Sequence, residues 1–337
     1  MKARKFLYSS QVTSEFPLTK LWPFKMPVAG IISHAIRISL LVVLVVFASC
    51  GSDSDDDPKI VGPDLPLGEG RLYAIDAVSF GSVDGLDVAG IYGHTGGASK
   101  PTVILVHDVG NNLAGQEWLF DEFFETLLDH GYNVLAVDLR GHGLTSLPSD
   151  GRAVEQLLLA DLDNFHLEVR AAITWLRGQA SADASRLAVI GTGGGGNVAF
   201  VAMGAFSDDL KAGVAISPGL WDSDELPLVI GDGVANFSPH TMLYLVGESD
   251  IRPVSNELTF SYPRFAVLLD SLTSDPKTLA VVPGVAGHGL ELLEAPTLSQ
   301  LVLDWLQLFY SAPSSVKVIS TFGRRSFKTA KTSSENS

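Results

Sequence analysis

Six short runs are continuously apolar apart from polar residues at some of their ends: 102–107 (TVILVH), 133–138 (NVLAVD), 187–191 (LAVIG), 213–216 (GVAI), 242–246 (MLYLV) and 279–282 (LAVV). Runs with no polar face predict central strands of a parallel sheet covered on both sides. Between them apolar residues recur at helical spacing. Leu119, Phe123 and Leu127 mark a helix over 116–130, and Leu157, Leu158, Leu162, Val169, Ile173 and Leu176 mark another over 153–179. Segments 197–205 and 296–309 complete the helical set. Ahead of these, 71–80 and 86–94 read as strands around Asp84-Gly85, a dipeptide that favours a hairpin. An N-terminal hairpin followed by repeated strand–helix units predicts an α/β domain over 71–310 with a mostly parallel central sheet flanked by helices.

The 337 residues are 46% apolar and 18% charged, a globular composition. A single cysteine excludes an intramolecular disulfide and a Cys-based metal cluster. The net charge of −15 is uneven. Residues 1–49 hold six bases and one acid, and 313–337 hold five bases and one acid. The body between them carries 12 bases and 36 acids, a net of −24, which argues against nucleic-acid binding. Segment 38–48 (ISLLVVLVVFA) is too short to span a bilayer but fits the apolar core of an export signal. It is followed by Phe47-Ala48-Ser49-Cys50, which resembles a bacterial lipobox with a phenylalanine where leucine is more usual. The resemblance implies a signal peptide over 1–49, with Met26 as an alternative start, and a lipidated Cys50 as membrane anchor. Gly51, rather than an aspartate, then leans toward the outer membrane. Residues 50–70 read as a flexible acidic tether, and 311–337 as a disordered basic tail.

Six segments carry a second resemblance: VILVHDVGNN (103–112), DLRGHG (138–143), VIGTGGGGNVA (189–199), ISPG (216–219), LVGESD (245–250) and GHG (287–289). In this order they resemble the α/β-hydrolase fold, nearest to dienelactone-hydrolase-like and serine-aminopeptidase-like esterases. The resemblance implies acyl transfer by a serine, a histidine and an acid, in the chain order nucleophile, acid, histidine. Asp250 then stands as the acid and His288 as the base. The backbone N–H groups of Val109 and Gly194 stand as the oxyanion hole. No cofactor or metal is implied. A small acyl compound is the implied ligand. Segment 220–240 is long enough for a short lid only.

The nucleophile is missing. The Gly-x-Ser-x-Gly pattern falls on Gly191-Thr192-Gly193-Gly194-Gly195, which puts Gly193 where serine belongs. Thr192 is one residue early and points away from an elbow tip. Two readings remain open. In one, the chain is a pseudo-hydrolase, with glycine relaxing a turn that strains other residues. In the other, His288 and Asp250 activate water, with Val109 and Gly194 holding the oxyanion. Ser217, His107 and His142 read as braces for local backbone. The glycine run lacks the Lys-Ser/Thr of a phosphate loop.

Overall fold

The computed structural model describes residues 73–109, 113–145, 161, 163–219, 237–253 and 259–310. The export signal, Cys50, the tether, the basic tail and most of the lid segment lie outside these residues.

A hairpin opens the domain: β1 (Ala74–Gly81) pairs antiparallel with β2 (Asp87–His94). Gly85 takes φ +85° in the turn, as its Asp-Gly context requires. The strands β3 (Lys100–Val106), β4 (Asn133–Val137), β5 (Ala182–Thr192), β6 (Leu210–Ile216), β7 (His240–Gly247) and β10 (Ser274–Val282) follow. The eight-stranded sheet has the order β1-β2-β4-β3-β5-β6-β7-β10. All pairs beyond β2–β4 are parallel. This is the mostly parallel α/β sheet that the apolar runs predict.

Strands β3 to β7 carry apolar runs because each of their faces meets its own core. Alternate residues point to opposite sides. Ile104, Val106, Leu187 and Val189 pack with Phe165, Val169, Ile173 and Val198. Val103, Leu105, Ala188 and Ile190 pack with Trp118, Phe124, Leu127, Val302 and Leu306. The first face is covered by α3 (His166–Leu176), α4 (Gly194–Ala205) and α5 (Tyr262–Leu272). The second is covered by α1 (Glu117–Phe120), α2 (Glu122–Asp129) and α6 (Pro296–Tyr310).

Four elements differ from the sequence expectation. The run 279–282, expected as a central strand covered on both sides, lies in β10, an edge strand with no buried residue. The helix expected over 116–130 is broken at Asp121, which is extended (φ −93°, ψ 136°) and accepts a 2.8 Å hydrogen bond from the Phe123 N–H. An aspartate that caps the following turn interrupts an otherwise continuous apolar spacing. The helix expected from 197 begins at Gly194, directly after the β5 turn. Finally, β8 (Ile251–Pro253), β9 (Thr259–Ser261) and α5 form an excursion between β7 and β10 that the apolar pattern does not announce.

Candidate functional site

The β5–α4 turn, the loops after β3 and β7, and the loop after β10 meet at the carboxyl edge of the sheet. Ligands bind at this edge in open α/β sheets. The sequence-predicted residues are brought together here. His288 Nδ1 lies 2.8 Å from Asp250 Oδ2. Asp250 is wholly buried, and Arg252 Nε approaches its other oxygen at 3.4 Å. The Tyr262 ring stands against the His288 imidazole, with centroids 4.3 Å apart. Ser217 accepts a 3.1 Å hydrogen bond from the Gly289 N–H and so braces the histidine loop.

Gly193 sits at the tip of the β5–α4 turn with φ +52° and ψ −121°. The region is one that residues with a side chain rarely adopt. Its N–H donates to Ile216 O at 2.9 Å. Gly195 is required for another reason: a Cβ there would stand 2.3 Å from the His107 carbonyl oxygen, so the helix start packs directly on the end of β3. Thr192 is buried and its hydroxyl donates to Glu117 Oε1 at 3.3 Å, away from His288.

The side chain that occupies the centre of the site is Asp108, which the sequence reading passed over. A Cβ built on Gly193 would stand 2.1 Å from Asp108 Oδ1 and 2.2 Å from Asp108 Cγ. The carboxylate therefore fills the space a nucleophile side chain on residue 193 would need. Its Oδ1 accepts hydrogen bonds from the Gly194 N–H at 2.6 Å and the Val109 N–H at 2.8 Å. These are the two donors expected to form an oxyanion hole, so that hole is already filled by a carboxylate oxygen of the chain itself. Asp108 Oδ2 lies 3.6 Å from His288 Nε2, an ion-pair contact longer than a hydrogen bond.

The backbone polar groups of Asp108 are both held. Its carbonyl oxygen accepts from His107 Nδ1 at 2.7 Å, and its N–H donates to Glu117 Oε1 at 3.2 Å. His107 Nε2 in turn accepts from the Leu139 N–H at 3.0 Å, which fixes a neutral ring protonated on Nδ1. Full burial, with the His142 ring beside it, lowers the His107 pKa to about 3. His142 contacts Arg140 O at 3.1 Å through Nδ1. Both histidines thus brace backbone, as the sequence suggests.

The electrostatics of the site are set by carboxylates. Burial lowers the pKa of His288, but Asp108 and Asp250 on its two sides outweigh burial and hold it up to about 9. At neutral pH the ring is an imidazolium between two carboxylates. Burial raises the Glu117 carboxyl to about 8, and the neighbouring Asp108 carboxylate adds to the rise. Glu117 is therefore protonated at neutral pH. Among the described residues no group of three or more His, Cys, Asp or Glu side chains is arranged to hold a metal ion.

Comparison with known proteins now adds to the geometry. The sequence model of the serine aminopeptidase S33 family matches residues 97–282, more than half of the chain. The chain belongs to this family. An uncharacterized protein of Mycobacterium tuberculosis is 29% identical over 264 residues, covering 74% of this chain and 83% of that one. A dihydrolipoyllysine-residue acetyltransferase component of the acetoin cleaving system of Cupriavidus necator is 34% identical over 107 residues, covering 32% of this chain and 26% of that one. Among solved structures, an esterase of Pyrococcus furiosus superposes with a TM-score of 0.53 at 18% identity, covering 71% of this chain and 92% of that one. An acetyl xylan esterase of Paenibacillus sp. R4 superposes with a TM-score of 0.53 at 18% identity, covering 73% and 86%. These likenesses establish the α/β-hydrolase fold.

Two signals for Asp108 were present: it directly precedes an expected oxyanion donor, and a side chain is missing at Gly193. Neither signal is visible alone, because the two residues are 85 positions apart and only the fold brings the extra carboxylate to the vacant place. Glu117 carried a weaker signal, a carboxylate at the start of an apolar helix.

Proposed function

We propose that this chain is a serine-aminopeptidase-family protein in which serine-type acyl transfer has been closed. The observation that carries the reading is the Asp108 carboxylate, which stands where the serine side chain would be and takes both oxyanion donors. An acyl substrate needs a nucleophile at position 193 and free N–H groups for its developing oxyanion. Here Gly193 supplies no nucleophile, and Val109 and Gly194 are already bonded.

The same observation weighs against the water-activating reading for acyl substrates. That reading needs the oxyanion donors free and His288 neutral, and Asp108 opposes both. Deeply buried Asp250 and the imidazolium of His288 remain as a charged, ordered floor for a bound small molecule. At the level of the cell, the lipobox-like segment supports an envelope lipoprotein anchored through Cys50.

The test is a fluorophosphonate probe on the purified protein. The wild-type chain is expected to remain unlabelled, and labelling at any residue of the site overturns the reading. Gly193→Ser alone is expected to stay silent because Asp108 blocks it, whereas Gly193→Ser combined with Asp108→Ala is expected to label and to hydrolyse a short p-nitrophenyl ester.

A further inference from the structure

We propose that Asp108 is itself a nucleophile, and that the site cleaves carbon–halogen or similar bonds at saturated carbon by way of an alkyl ester on its carboxylate. The inference goes beyond the closed acyl site, although both rest on the placement of Asp108.

The two oxygens of Asp108 are in different situations. Oδ1 is tied to the Gly194 and Val109 N–H groups at 2.6 and 2.8 Å. Oδ2 faces His288 Nε2 at 3.6 Å, and among the described residues no shorter polar contact to it is found. The side chain is 35% exposed, so the carboxylate is not sealed from solvent. A carboxylate oriented by its backbone neighbours on one oxygen and less tightly held on the other is arranged to attack through the second.

Such an attack suits saturated carbon and not a carbonyl. Displacement at saturated carbon creates no oxyanion in its first step, so the filled oxyanion hole is no obstacle. Oδ2 forms the new O–C bond with a lone pair, and the leaving group departs with the electron pair of the broken bond as an anion. The product is a neutral ester on Asp108. Its carbonyl oxygen is then Oδ1, already seated between the Val109 and Gly194 N–H groups.

The second step uses the same geometry. Alkylation removes the negative charge beside His288, and with it the main contribution that opposes the effect of burial on the ring. The imidazolium then loses its proton to solvent more readily. Neutral Nε2 takes a proton from a water that attacks Cγ, and Oδ1 carries the resulting negative charge. The Cγ–Oδ2 bond breaks, the alcohol leaves with Oδ2 and the proton from His288, and Asp108 is regenerated with one oxygen from water. The sum is alkyl halide plus water giving alcohol, halide and a proton. Asp250 holds His288 Nδ1 throughout.

The experiment uses the purified full chain with 1-bromohexane. His288→Gln is expected to accumulate one hexyl group, mapped to the peptide containing Asp108, because ester formation proceeds and ester cleavage does not. The wild-type chain is expected to release bromide, and Asp108→Asn to lose that release to background. In a single turnover in ¹⁸O-water, hexanol from the wild-type chain carries the light oxygen of Asp108 and the label enters the carboxylate. This last readout needs no variant, so a misfolded mutant cannot mask it. Hexanol carrying solvent oxygen, an adduct on another side chain, or no adduct and no bromide release each overturns the inference. None of these results bears on fluorophosphonate labelling, so failure here is distinguishable from failure of the closed acyl site.

Discussion

Residues 193 and 108 share one volume: Gly193 has no side chain, and the Asp108 carboxylate occupies the space that one would need. The consequence for engineering is direct. Gly193→Ser places a side chain at positive φ and drives it into Asp108, combining backbone strain with overpacking, each about 1–3 kcal/mol. Urea unfolding of this variant is expected to show a loss in that range. Asp108→Ala in the same background is expected to return the overpacking part and leave the backbone part. If the single variant is as stable as the wild-type chain, the carboxylate does not hold the position described.

His288 gives this scale a pH dependence. Its folded pKa of about 9 lies above the ordinary 6.5, so its contribution is fully present below 6.5 and is lost as pH rises through about 9. The shift corresponds to a few kcal/mol, on the order of 3. The stability difference between wild type and His288→Gln is therefore expected to shrink between neutral pH and pH ~10, as measured by denaturant midpoints. Asp108→Asn is expected to flatten the dependence by removing one of the two carboxylates. A difference that stays constant across this window contradicts the ion-paired state of the ring.

At the scale of elements, the sheet was legible and the pieces around the site were not. The apolar runs announce β3 to β7 because these strands are buried on both faces, and burial forces the pattern; the edge strand β10 carries only a short run and has no buried residue. The β8–β9 excursion and α5 have little buried surface, so they leave little pattern: among the residues of α5 only Ala266 and Leu269 are buried. Yet this excursion supplies Tyr262, which stands against His288. The α/β-hydrolase resemblance pointed to Asp250, His288, Val109 and Gly194, and the fold places them at one edge of the sheet. Asp108 and Glu117 were not legible in the sequence, because their significance lies in contacts between distant segments.

Glu117 illustrates how an element carries a polar cost to hold a site. It starts α1, accepts from the Asp108 N–H and the Thr192 hydroxyl, and is protonated at neutral pH. Its folded pKa of about 8 exceeds the ordinary 4.5, so stability is lost as pH rises through about 8. Glu117→Gln keeps the accepting oxygen and removes the ionisation. It is expected to be neutral near pH 5 and stabilising near pH 8 ~, as read from thermal midpoints at the two pH values. An equal effect at both would mean that the carboxyl does not titrate in this window.

On the scale of the whole molecule, the charge distribution bears on where the domain resides. The body between residues 50 and 312 carries a net −24, which repels an anionic lipid surface. Among the described residues no helix is long and apolar enough to cross a membrane. Attachment at the envelope, as proposed, would act through a lipid on Cys50, with the five bases of segment 313–337 as the competing route. The two respond oppositely to salt. Electrostatic attachment is screened within a Debye length of about 8 Å at physiological ionic strength and fails at high salt, whereas an acyl anchor does not. The wild-type chain expressed in a bacterial host is expected to sediment with membranes, to resist high-salt washing and to be released by detergent. Cys50→Ser is expected to leave the membrane fraction at every ionic strength, because the acidic body has no attraction of its own to replace the lipid. Release of the wild-type chain by salt alone would assign the attachment to the basic tail and remove the role proposed for Cys50.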